Sequence, residues 1–98
     1  MLELITILIS NMSAHFVTLT DLPLNAAAQV EAVQDLHAND VIARRLRELG
    51  FVAGEEVRIV ARGPLGAEPL LVQVGFTRFA LRQVEAARVR LRTNGAGA

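Results

Sequence analysis

Cysteine is absent from all 98 residues, which removes disulfide frameworks, thiolate zinc sites, iron–sulfur ligation and thiol catalysis at once. Tryptophan and tyrosine are absent too. Four phenylalanines leave little on which a single-stranded nucleic acid could stack its bases. Histidine is scarce, with only His15 and His37. His37 lies near Asp35 and Asp40 in the chain, but a closed structural site takes about four placed ligands, so these residues read as solvated loop and no metal is expected. No apolar run approaches the roughly 20 residues of a spanning helix, and direct membrane insertion is not expected.

What is present is a folded chain of one domain: 52% of the residues are hydrophobic, and disorder requires far less. Formal charge is zero but segregated. Every basic residue is an arginine and none precedes Arg44, while the first 43 residues carry only Glu3, Asp21, Glu31, Asp35 and Asp40. With a pI near 6.7, this asymmetry reads as arginines on solvated strand faces balanced by the acidic half, rather than as a phosphate-binding surface.

The run Leu4–Ile9 is apolar and follows Glu3 with no basic residue near, which is unlike a secretory signal. It reads as an extra strand, as a partner-binding segment, or as sequence upstream of a start at Met12, the last being favoured. Residues 1–16 are treated as an extension outside the core, residues 17–92 as the domain, and residues 93–98 as a disordered tail.

Within the domain, Thr18 or Thr20 can cap a single turn that Pro23 stops. Residues 26–36 are ambiguous. Ala26, Val30 and Val33 sit at helical spacing, whereas Ala28, Val30 and Ala32 alternate as a strand does, and the pattern alone leans towards helix. Asn39 then reads as the N-cap of a short amphipathic helix with Ile42, Leu46 and Leu49 on one face and Gly50 as its C-cap. Val57, Ile59 and Ala61 alternate with Arg58 and Arg62 as a half-buried strand. Gly63-Pro64-Leu65-Gly66 has the composition of a type I turn. Gly75-Phe76 suits a type II′ hairpin turn, which would set Val74 opposite Thr77, Val72 opposite Phe79 and Leu70 opposite Leu81. A helical turn at 85–87 and a strand at 88–91 complete the domain. So many short strands in about 75 residues predict a small barrel, since an open sheet this size leaves exposed edges.

The chemistry-bearing residues form no catalytic constellation. Ser10 and Ser13 stand in the N-terminal extension, Glu55 and Glu56 are adjacent on a strand and so face opposite ways, and Gly63–Gly66 lacks the lysine of a phosphate loop. No enzyme activity and no cofactor is expected.

Three segments, read in order, resemble the ferrous iron transport protein A family: Leu19-Thr20-Asp21-Leu22-Pro23; Arg45-Leu46-Arg47-Glu48-Leu49-Gly50-Phe51-Val52-Ala53-Gly54; and Gly63-Pro64-Leu65-Gly66-Ala67-Glu68-Pro69-Leu70 with Ala80-Leu81-Arg82, Glu85-Ala86 and Val89. The resemblance implies a mainly β, SH3-like barrel with an inserted short helix, and turns Ala28–Val33 into a strand. It departs at Asn25 and Ala53, where the family often has glycine and proline. It further implies a cytosolic accessory protein docking onto ferrous iron transport protein B, a membrane GTP-binding permease. The expected partner contacts are Pro64, Leu65 and Leu70 of the loop, with Arg45 of the helix beside them on one raised edge. An exposed leucine such as Leu65 can also be ordinary loop packing. The alternative from another class is the SH3-like regulatory domain of an iron-dependent transcriptional regulator. Such a domain normally follows a winged helix, for which 98 residues leave no room.

Overall fold

The computed structural model describes residues 18–66 and 68–92, so the expectations for the N-terminal extension and the tail lie outside it. A 3-10 turn at Leu19–Asp21 leads to strand β1 (Ala27–Val33), helix α1 (Val41–Leu49), strands β2 (Glu56–Leu65), β3 (Glu68–Val74) and β4 (Thr77–Leu81), the one-turn helix α2 (Gln83–Ala86) and strand β5 (Val89–Arg92). The strands form one sheet in the order β4-β3-β2-β1-β5, with every pairing antiparallel. Among the described residues no ladder joins β4 to β5, so strand pairing does not itself carry the expected closure into a barrel. The outer side of β5 is met instead by the chain before the 3-10 turn, through a bridge between Thr18 and Arg90.

The helical reading of 26–36 gives way to strand β1, and a bulge explains the ambiguity. Val30 pairs with Leu91 but Ala32 pairs with Arg90, which leaves Glu31 as an extra residue on β1. The bulge flips the side-chain alternation, so Val30 and Val33, three apart, both reach the core. β2 does the same. Ile59 faces Val72 and Ala61 faces Leu71, so Val60 is extra and Ala61, expected inside, is exposed.

Helix α1 begins one residue later than expected. Asp40, not Asn39, is the N-cap, and its carboxylate accepts the Ala43 N–H at 3.1 Å. Asn39 instead takes a left-handed φ of 55° in the entering turn, which asparagine tolerates better than most residues. Gly50 ends the helix as expected at φ 115°, and the Phe51 N–H returns to the Leu46 carbonyl at 3.1 Å. Asn25, in the position where glycine is frequent, likewise adopts φ 68°.

The β3–β4 hairpin matches the expected register at every pair, from Val74–Thr77 to Leu70–Leu81. Gly75 has φ 59° while Phe76 keeps a negative φ, as a type II′ turn requires. The core gathers Leu19, Val30, Phe51, Val57, Ile59 and Val72, all inaccessible to solvent, from the 3-10 turn, the loop after α1 and the three central strands.

Candidate functional site

The segment read as a loop at 63–70 is a tight hairpin: β2 runs through Gly63 and Pro64 to Leu65, which pairs with Glu68. Gly63 permits this because a Cβ there would lie 1.9 Å from the Glu68 carbonyl oxygen. At the tip Pro64 is exposed and Leu65 is 82% exposed. The Glu68 carboxylate accepts the Gln83 N–H at 2.5 Å and ties the hairpin to the start of α2. Leu65, Glu68, Pro69 and Arg82 frame a shallow depression of about 340 Å³.

Of the four expected contact residues, only Pro64 and Leu65 come together. Leu70 is 1% exposed and packs in the core opposite Leu81, which corrects its placement on a docking edge. Burial was already implied by its place in the hairpin register. Arg45 is exposed on α1 and borders a different hollow, of about 440 Å³, between the helix and β4. Ile42, Leu49, Phe79 and Leu81 line its apolar part, and the Phe79 ring leans on Phe51 with centroids 5.9 Å apart. Helix and hairpin thus border separate hollows.

Sequence reasoning missed the polar centre of the molecule. Asp40 and Arg88 are both buried, and Arg88 Nε donates to Asp40 Oδ2 at 2.8 Å. The same carboxylate accepts the Leu36 N–H at 2.9 Å, while Arg88 donates onward to the Val84 carbonyl. The Arg88 hydrogen bond, helped by the Leu36 and Ala43 amides and opposed by burial, holds the Asp40 carboxyl well below the usual carboxylate range. Forty-eight residues separate the partners, and no local pattern marks them. His37 Nε2 stands 3.9 Å from Asp40 Oδ1. Among the described residues no group of three or more His, Asp or Glu side chains is placed to hold a metal, and no helix is long and apolar enough to cross a membrane.

A five-stranded antiparallel sheet with short helices between its strands defines a small domain of SH3-like fold. The chain belongs to the FeoA domain family, whose model matches residues 17–93. It is similar to the crystal structure of Stenotrophomonas maltophilia FeoA complexed with zinc, at 72% identity over 80% of this chain and 92% of that one, with TM-score 0.74. That protein is described as an SH3 domain protein and put forward as a ferrous iron transport activating factor. The FeoA protein of Chlorobium tepidum is 26% identical over 78% of this chain and 69% of its own, with TM-score 0.67. A manganese-dependent transcriptional repressor shares the fold alone, at 17% identity, TM-score 0.65 and 40% of its length. No curated protein matches the chain. Membership of the FeoA family links the chain to ferrous iron transport.

Proposed function

We propose that the chain is a cytosolic accessory protein of bacterial ferrous iron uptake. It acts by binding rather than catalysis, and it docks onto the cytosolic part of ferrous iron transport protein B, the membrane GTP-binding permease. The observation that carries this reading is Leu65, a large apolar side chain left 82% exposed at the end of β2. In water it contributes nothing to the fold. Buried in a partner's pocket it would contribute about 1.5–3 kcal/mol. Pro64 stiffens the approach, and Arg45 supplies a cationic contact from α1. Family membership and the description of the S. maltophilia relative support the iron-uptake setting.

Leu65→Asp should leave the melting temperature unchanged and weaken binding to the permease's cytosolic region at least about tenfold. Val72→Asp, which buries a charge beside Phe79, should unfold the domain and serves as the contrast. Thermal melts and pull-downs on both variants make the check. Wild-type affinity for Leu65→Asp would remove the tip from the interface, and failure of the wild type to bind at all would remove the docking role.

A further inference from the structure

The two ends of the sheet are not alike. The outer side of β5 is met at Arg90 by Thr18, but among the described residues nothing pairs with the outer side of β4. The register fixes which backbone groups this leaves open. A two-residue turn is closed by a hydrogen-bonded pair, here Val74 and Thr77. Alternation makes Val72–Phe79 and Leu70–Leu81 the other hydrogen-bonded pairs. Arg78 and Ala80 therefore aim their N–H and C=O groups away from β3.

Side chains sort the same edge into two faces. Phe79 and Leu81 point towards the hollow under α1, beside Ile42 and Leu49. Ala80 also borders that hollow, although neighbouring side chains point oppositely, so the hollow opens along the strand's edge as well as its face. On the other face stand Arg78 and Arg82, both exposed, two residues either side of Ala80 in extended chain. Arg78 donates to Gln73, and no carboxylate among the described residues reaches salt-bridge distance of either guanidinium. Glu85 borders the hollow too, with one carboxylate oxygen accepting the Arg82 N–H at 2.7 Å.

The geometry points to β4 as a strand-addition site for an extended segment of a partner protein, one with apolar and acidic side chains in alternation. Its backbone pairs with Arg78 and Ala80. Its apolar side chains enter the hollow between α1 and Phe79, and its acids lie opposite Arg78 and Arg82. The Leu65 side chain takes no part, although the two surfaces adjoin: Arg82 also borders the depression beside Leu65, and Arg45 borders the hollow under α1.

The probe is a fluorescein-labelled Val-Glu-Val-Glu-Val-Glu peptide, with Val-Lys-Val-Lys-Val-Lys and the block sequence Val-Val-Val-Glu-Glu-Glu as comparisons. Fluorescence anisotropy should show saturable binding of the first, at least about tenfold weaker for the other two and for the Arg78→Glu, Arg82→Glu double variant. Hydrogen exchange on the wild-type chain should slow at the amides of Arg78 and Ala80 when the probe binds, which needs no variant to fold. Leu65→Ala, which adds no charge beside Arg82, should bind the probe as wild type does. No saturable binding, equal binding of the block peptide, no effect of the double variant, or slowing elsewhere than β4 overturns the proposal. So does sensitivity to Leu65→Ala. A dimer by sedimentation, with Ala80 already protected before any probe is added, would assign the edge to a second copy and overturn it as well.

Discussion

The carboxylate of Asp40 accepts from the amides of Leu36 and Ala43 and from the Arg88 guanidinium, fastening the β1–α1 turn, the start of α1 and the start of β5 to one point. Removing either charge strands the other in the interior, where an unpaired ion is far costlier than the pair. The folded state holds the Asp40 carboxyl well below the usual range, whereas the unfolded chain titrates near about 3.9. Unfolded chain therefore binds the proton first. The stabilisation is complete above that value and is lost as pH falls through it towards the folded one. Melting temperature should accordingly fall as pH drops from about 5 to 3. Asp40→Asn should lower stability at pH 7 and flatten that decline. Arg88→Met leaves the buried carboxylate without its main partner, which lets burial raise its folded-state titration, so stability at pH 7 should drop and the decline with acid should be smaller than in wild type. A set of melts across pH on the three proteins checks all of this; parallel curves for wild type and Asp40→Asn would show that another group governs the acid limb.

At the scale of elements, the β2–β3 hairpin depends on a close approach. Gly63→Ala places a Cβ against the Glu68 carbonyl carbon at 2.4 Å and the Pro69 Cδ at 2.7 Å, with backbone on one side and a ring on the other. Neither can swing aside, so the outer hairpin should open. Loss of protection at the amides of Leu65 and Glu68, with the β3–β4 pairing retained, is the expected exchange pattern. Unchanged protection would mean the strands can slide apart without cost. The hairpins also show what the sequence made legible. β3 and β4 carry no bulge, so turn chemistry and alternation agreed, and the register followed residue by residue. β1 carries one inserted residue, Glu31, and β2 carries two, Val60 and a second between Arg62 and Leu65, and a period-2 reading loses its phase there. Val30 and Val33 then imitate a helix face. The candidate tip at Pro64 and Leu65 was legible because turn residues framed an exposed leucine. Leu70 was misplaced by being grouped with the loop, and the Asp40–Arg88 pair and the β4 hollow were hidden because tertiary packing alone creates them.

Across the whole molecule, the segregation of charge along the chain becomes a set of contacts between its halves. Arg47 reaches Asp35 at 2.9 Å, Arg90 reaches Glu31 at 3.4 Å, and Arg88 reaches Asp40. Arg58 and Arg62 donate to the backbone carbonyls of Asn25 and Leu22 at 2.7 and 2.8 Å, so the arginines also clamp the entering chain. The exposed pairs contribute little each and are screened by salt; the buried one is the exception. The expectation of a basic half balanced by an acidic one is thus met by direct pairing.

The strand order has a kinetic consequence. β2, β3 and β4 follow one another through two tight turns, so their pairing closes only short loops. β1 sits between β2 and the last strand, and the β1–β5 ladder joins residues such as Val33 and Val89 across most of the domain. Closing so long a loop is entropically costly before any contact repays it. The meander should be formed in the folding transition state and the β1–β5 seam only after it. Val72→Ala should then slow refolding, while Val89→Ala should leave refolding nearly unchanged and speed unfolding. Stopped-flow chevrons on the two variants measure this, and a slow-refolding Val89→Ala would place the seam in the nucleus. On this ordering β5 acts as a latch, and the lifetime of the native protein is set where β1 meets it.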